Sequence, residues 1–324
     1  MMDHDYSELE NETRKIYEAQ HSKYLKDKVM YNRFLRMAQD LNYYGLQPTD
    51  IQGKEILDAG SGNSGYFQEA MYKHGASKIY SMDIGLSWIP ILKEHLNTRL
   101  KLDGKESDKF LFSPGSTTKI PFPDGHFDVV FSNGVLMHLG SVQEAELAMS
   151  EMARVTKCGG KLFVYSGFDS GVIDNYLVPA LRDAYKNCID FKNYIDDLGG
   201  KSLQSEFTDI LKMLRRKGDL SILVYLYLKK QNKKIFDEDL SRFFQNMLQV
   251  PNQQGNSLDS NWLRNQFEIL NFSEVKFTKT YIHRKNIRKF LAPLHYSTTS
   301  HLGKILYGGG HVRAVATKQE SQVI

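Results

Sequence analysis

The sequence predicts an α/β protein: a doubly wound, mostly parallel sheet of seven strands, with helices ahead of it and a helical insertion before its last two strands. Three observations carry this. Short apolar runs alternate with amphipathic segments from Lys54 to Tyr165, the pattern of parallel strands joined by crossover helices. A glycine-rich turn, Gly60 to Gly65, stands where the first strand meets its helix. The alternation stops near Asp169 and resumes near Trp262.

The first 46 residues read as helix, with Ile16, Tyr24, Tyr31, Phe34, Leu35, Met37, Ala38 and Leu41 close to helical spacing. Gly45 and Pro48 then punctuate the chain. Ile56-Leu57 ends a first strand, and Tyr66 to His74 is helical. Lys78 to Met82 is a second strand, ending at Asp83, and Leu86 to Leu100 a second helix. Phe110 to Phe112 and Phe127 to Phe131 are the third and fourth strands. Gln143 to Val155 is a helix, Cys158-Gly159-Gly160 a turn, and Lys161 to Tyr165 the fifth strand. Trp262 to Leu270 reads as helix, with strands at Val275–Ile282 and His311–Thr317. The expected organisation is an N-terminal helical cap at 1–46, one sheet domain at 47–168 and 262–318, and an inserted helical lid at 169–261.

Composition bounds the function. The chain has 324 residues, 41% hydrophobic and 25% charged, which suits a globular protein with ample core. The longest apolar run, Ile222–Leu228, is far short of the roughly 20 residues a spanning helix needs. The acidic N-terminus lacks the apolar core of a secretory signal. Two cysteines, Cys158 and Cys188, exclude a disulfide framework and a four-thiolate metal site, so the expected location is the cytoplasm and no metal is expected. A net charge of +4 is too mild to imply nucleic acid.

The sharpest signal is Leu57-Asp58-Ala59-Gly60-Ser61-Gly62 with Gly65. Glycines at a strand-to-helix turn let a ligand approach the backbone, and the following helix offers free N–H groups. Glycine spacing alone suits a dinucleotide equally well. Asp58, two residues before the first glycine, separates the cases: a ligand with an ammonium group needs a carboxylate there, a pyrophosphate does not. Asp83, ending the second strand, stands where a carboxylate can take both hydroxyls of a ribose.

Four ordered blocks resemble the class I S-adenosylmethionine-dependent methyltransferases, in the branch called methyltransferase type 11. They are Leu57–Gly62, Ser81–Gly85, Lys119–Ser132 (with Pro121-Phe122-Pro123-Asp124 and Phe127-Asp128-Val129-Val130) and Glu151–Leu162. The resemblance spans about residues 54–166 and implies a Rossmann-like fold with S-adenosyl-L-methionine as cofactor. It implies that Asp58, Gly60, Ser61 and Gly62 hold the methionine part, Asp83 the ribose, and Ile84, Ser116 and Thr117 the adenine. It sets Ser132 and Asn133 beside the methyl group. Ser64 stands where the family's commonest turn has a third glycine, and Ser116 where it often has an aspartate.

A sulfonium methyl is already electrophilic, so the protein's task is alignment, worth ~7–11 kcal/mol of barrier. A base is needed only for a protonated nucleophile, and His138 is the candidate. Between Glu274 and Glu320 no acid occurs, while nine lysines and arginines and four histidines do. From that stretch His295, Tyr296, His311 and Arg313 are the candidate wall for an anionic group on a small substrate. The alternatives are a solvated basic face, a methyltransferase acting on RNA or protein, and a non-catalytic cofactor-binding protein. No membrane partner is expected, and the sequence sets no oligomeric state.

Overall fold

The computed structural model describes residues 10–15, 17, 28–62, 65–85, 89–187, 189, 192–193, 257–278 and 310–320. Seven strands form one sheet: β1 (Glu55–Ala59), β2 (Lys78–Asp83), β3 (Phe110–Pro114), β4 (Phe127–Asn133), β5 (Thr156–Asp169), β6 (Phe272–Phe277) and β7 (Gly310–Lys318). Their order is β3-β2-β1-β4-β5-β7-β6. β1 to β5 pair in parallel, while β7 runs antiparallel to both β5 and β6. The order reverses between β1 and β4, the kind of point at which doubly wound sheets open a crevice beyond the carboxyl ends of their strands.

Strand side chains alternate between two apolar layers. Leu57, Val130, Leu162, Val164 and Ala314 face Ala148, Met149 and Met152 of the Val142–Val155 helix and Phe267 of the Ser260–Ile269 helix. Ile56, Phe131, Phe163 and Val315 face the Lys28–Gln39 helix through Tyr31 and Leu35, with Tyr44 and Phe67 wedged between. Tyr44 meets Phe131 and Phe163 edge-on at centroid distances of 5.3 and 4.9 Å. Burial on both faces explains why these strands read as apolar runs rather than alternating ones.

The N-terminal helical region is not one helix. It breaks at Asp40, whose side chain accepts from the Asn42 N–H and caps the short Leu41–Tyr44 helix, ended by Gly45 in the left-handed region. One buried acid ties three helices together. Glu69, on the Tyr66–Lys73 helix, accepts from Tyr31 (2.9 Å), from Lys73 (2.6 Å) and from Arg99 of the Ile89–Leu100 helix. The Arg99 guanidinium also lies over the Tyr31 ring, 4.4 Å from its centroid. Burial pushes the Glu69 carboxyl up, but hydrogen bonds from Lys73, Arg99 and Tyr31 outweigh it and hold the group below its ordinary value.

Two expected elements take a different form. Cys158-Gly159-Gly160 is not a turn ahead of β5 but a bulge inside it. The register passes from Phe127 opposite Thr156 to Val129 opposite Lys161, and Gly159 takes φ +71°. The strand expected at Val275–Ile282 begins three residues earlier, at Phe272, because Asn271 at φ +60° turns the chain straight out of the preceding helix. Residues 279–282 lie outside the described set. The chain leaves the sheet at Asp169 and returns at Ser260, whose N–H donates to Asp169 Oδ1 at 2.8 Å. The Ser166 hydroxyl closes the same junction on the Leu258 carbonyl at 2.9 Å. Between them the Val172–Asn187 helix is described, and residues 194–256 are not.

Candidate cofactor site

The carboxyl ends of β1, β2 and β4 open onto a cavity of about 220 Å³. Its floor is the turn after β1. Gly60 sits at φ +86°, and a Cβ there would come within 2.3 Å of Val135 Cγ2, so only glycine lets this backbone close on the turn that follows β4. The Gly60 and Ser61 N–H groups both donate to the Met82 carbonyl, at 2.8 and 3.0 Å. The Gly62 N–H donates to Asp83 Oδ2 at 2.8 Å. The first three donors of the turn are therefore committed to β2, which fixes the loop. The next residues to line the cavity are at the start of the Tyr66–Lys73 helix, whose N-cap, Gly65 at φ +76°, has no side chain to cap it. Ser64 lies outside the described residues.

Asp58, next to last in β1, is 4% exposed. Its carboxylate receives the Gln68 amide at 3.2 Å, and Gln68 is held in turn by the Ser81 hydroxyl at 2.9 Å. Burial, and secondarily the charge on Asp83, push the Asp58 carboxyl up to about 8. An acid so placed is mostly protonated at neutral pH until a cation arrives. Asp83 is arranged differently: it accepts from the Gly62 and Gly85 N–H groups, at 2.8 and 3.1 Å, one on each oxygen. A carboxylate has about four acceptor sites, and these two N–H groups take one on each oxygen.

Asp58, Gly60, Ser61, Gly62, Asp83, Ile84, Ser116, Thr117, Asn133 and His138 all line this one cavity. Three further candidates do not. Ser132 is fully buried inside β4 with the parity of Val130, so it faces the helical layer rather than the crevice. Arg313 is 2% exposed in β7, its guanidinium 4.1 Å from the Tyr43 ring centroid, so it belongs to the apolar layer beneath the N-terminal helices. His311 forms a hydrogen bond through Nδ1 with the Tyr165 hydroxyl and packs 5.0 Å from Phe168. It stands at the start of β7 and is not among the cavity's lining residues. His295 and Tyr296 lie outside the described residues.

The sequence places a helical cap at residues 1–46 but does not single out its cavity-facing residues. Glu10, Thr13, Arg14 and Tyr17 line the cavity from the N-terminal helical segment. Glu10 accepts from the Ser116 hydroxyl at 2.6 Å, beyond the end of β3. The Tyr17 hydroxyl and His138 Nε2 are 2.8 Å apart, beyond the end of β4. Gln68 was missed as well. Its only signal is a polar residue on the buried face of an amphipathic helix.

Known proteins resemble this chain over the sheet that frames the cavity. The family model described as "Methyltransferase domain" matches residues 57–164, a third of the chain. This segment is a class I S-adenosylmethionine-dependent methyltransferase domain. The match begins inside β1, at the residue before Asp58, and ends in β5, so it contains the carboxyl ends of β1, β2 and β4 that border the cavity. Domains of this family use S-adenosyl-L-methionine. Sterol 24-C-methyltransferase ERG6B of Gibberella zeae is 33% identical over 135 residues, covering 40% of this chain and 31% of that protein. Demethylmenaquinone methyltransferase of Renibacterium salmoninarum is 32% identical over 116 residues, covering 35% of this chain and 41% of that protein. The chain thus spans about a third to two-fifths of the length of these curated relatives. A Haloferax volcanii methyltransferase, solved in complex with the Trm112 methyltransferase activator, superposes with a TM-score of 0.50 at 11% identity, over 96% of this chain and 100% of that one. That likeness is one of fold. Among the described residues no helix is long and apolar enough to cross a membrane, and no cluster of potential metal ligands occurs.

Proposed function

We propose that the chain transfers a methyl group from S-adenosylmethionine to oxygen, nitrogen or sulfur of a small-molecule acceptor. The observation that carries the cofactor half is Asp58: a buried carboxyl facing a glycine cradle, with one amide beside it and a strongly raised pKa. Such a group is poorly satisfied alone and well satisfied by an ammonium. The residues present fit the donor. Asp58 would hold its amino group, the uncapped start of the Tyr66–Lys73 helix its carboxylate, and Asp83 its two ribose hydroxyls. Ser116 replaces the acid usual at the adenine end, and the Glu10 carboxylate hydrogen-bonded to it restores an acceptor beside an exocyclic amine.

The bound donor supplies an electrophilic sulfonium methyl. The chain's residues then position an acceptor and manage its proton. Asn133 and His138 flank the space past β4, with Tyr66, Phe67, Val135 and Leu139 giving it an apolar character that excludes water. His138 is the group that takes a proton from a hydroxyl or ammonium acceptor, held by Tyr17 through Nε2. In this reading residues 1–46 cap a domain formed by 47–168 and 262–318, and the 169–261 insertion closes over the substrate. A cytoplasmic setting accords with a chain of two cysteines, of which Cys158 is exposed and free.

Radiolabelled S-adenosylmethionine incubated with metabolite pools and, separately, with RNA and protein fractions tests the reading. Label appearing in low-molecular-weight products supports it, and label confined to polymer overturns the acceptor class. A protein that binds NAD but neither S-adenosylmethionine nor S-adenosylhomocysteine overturns the whole.

A further inference from the structure

We infer that Arg14 is the anion receptor at the acceptor end of the cavity, so that the methyl acceptor carries a carboxylate or phosphate. The inference rests on the function proposed above and names a substrate class for it. Glu10, Thr13, Arg14 and Tyr17 have the spacing i, i+3, i+4, i+7, which places them on one helical face, and all four line the cavity. The two ends of this stripe are engaged at opposite sides of the crevice. Glu10 is bound to Ser116 past β3, and Tyr17 to His138 past β4. Arg14 lies between them, one turn from each, and is half-buried.

The charges around it are unbalanced. The other ionisable side chains of the lining are acids (Glu10, Asp58, Asp83), the tyrosines and His138. Two of the acids are assigned to the donor, Asp58 to its ammonium and Asp83 to its sugar, and Glu10 is turned to Ser116. Among the described residues no acid forms an ion pair with Arg14. A half-buried guanidinium without a counter-charge bears a desolvation cost that an incoming anion relieves, and its planar fork matches carboxylate and phosphate oxygens. The donor's own carboxylate is assigned to the helix start behind Gly65, whose N-cap makes no side-chain hydrogen bond. The anion that remains for Arg14 is the acceptor's. Arg313, the cation that the basic C-terminal stretch offered, is buried against Tyr43 and leaves this role open.

The test uses the full chain, its Arg14→Gln and Arg14→Lys variants, and two binding series. In the first, S-adenosylhomocysteine and 5′-methylthioadenosine, which lacks the amino-acid part, are titrated calorimetrically. In the second, benzoate, phenylacetate and phenyl phosphate, with benzamide as neutral control, are titrated into the S-adenosylhomocysteine complex and followed by NMR. Expected is S-adenosylhomocysteine affinity within twofold of wild type in both variants. At least one anionic probe binds the wild-type complex more tightly than benzamide, and Arg14→Gln weakens it about 10-fold or more, with partial retention in Arg14→Lys. Loss of S-adenosylhomocysteine affinity with 5′-methylthioadenosine unchanged reassigns Arg14 to the donor's carboxylate and overturns the inference. So does equal binding of anions and benzamide. Failure of the wild-type chain to bind S-adenosylhomocysteine at all instead defeats the function proposed above.

Discussion

Asp58 makes a quantitative prediction about how donor affinity depends on pH. In the empty site its carboxyl is pushed up to about 8, first by burial and then by Asp83. Holding an ammonium requires the ionised form, so binding below that pH must release a proton. At pH 6 about 1% of a group with this pKa is ionised, and at pH 7.5 about a quarter, so S-adenosylhomocysteine should bind roughly 25-fold more tightly at pH 7.5 than at pH 6. That is about 1.9 kcal/mol, approaching the limiting slope of ~1.4 kcal/mol per pH unit. Calorimetric titration in two buffers of different ionisation enthalpy measures both the affinity and the protons released. Asp58→Asn should flatten the profile and abolish the release, at a cost in affinity. The empty protein carries the mirror image. A folded-state pKa raised from 3.8 means that the native state holds its proton more firmly than the unfolded chain. This contribution is complete below pH 4 and is lost as pH rises through about 8. Asp58→Asn should remove that decline from denaturant melts. An affinity unchanged between pH 6 and 7.5, with no proton exchanged with buffer, refutes the reasoning: Asp58 would then be either already ionised or not part of the donor site.

Asp83→Ala should weaken S-adenosylhomocysteine and 5′-methylthioadenosine alike, by ~1.5–3 kcal/mol, because both carry the ribose; an unchanged calorimetric affinity removes the sugar-binding role. Gly60→Ala should destabilise the fold by about 1–3 kcal/mol in urea melts, because the new Cβ meets Val135 Cγ2 at 2.3 Å and φ is +86°. Pairing it with Val135→Ala should recover only part, the backbone strain remaining; full recovery would show that the clash alone matters. A base role for His138 predicts that His138→Ala slows turnover at neutral pH by about 10²–10⁴-fold. Tyr17→Phe, which cuts the 2.8 Å link to Nε2, should shift the acidic limb of the rate profile while leaving S-adenosylhomocysteine affinity unchanged. A rate within a few-fold of wild type for His138→Ala assigns that residue to packing.

What the sequence conveyed and what it concealed divide along a physical line. The sheet was readable because each strand is buried on both faces and therefore spelled as an uninterrupted apolar run, with its helix marked by a separate periodicity. The floor of the site was readable for the same local reason: a carboxylate and its glycines fall within one turn, Asp58 to Gly65, and their chemistry depends on neighbours in the chain. The bulge at Cys158-Gly159-Gly160 was misread because a left-handed glycine serves a turn and a strand bulge equally well, and only the partner register distinguishes them.

The particular residues of the cap and the role of the basic stretch were hidden for the opposite reason, since both depend on what lies across the fold. The face that Glu10, Thr13, Arg14 and Tyr17 present is polar, so it leaves no apolar period to detect, and its partners Ser116 and His138 are 106 and 121 residues away. Charge counted along the chain favoured Arg313, yet strand parity turns that side chain into the layer beneath Tyr43. Ser116 shows how the two errors meet. Read alone it weakens the adenine end by removing an acid. Read with Glu10, the acid is present but carried by a different element, which makes the N-terminal segment part of the site's chemistry rather than a cover laid over it. Deleting residues 1–17 should therefore cost donor affinity as well as turnover. A truncated protein that binds S-adenosylhomocysteine as tightly as the full chain would show that Glu10 contributes nothing to the adenine end.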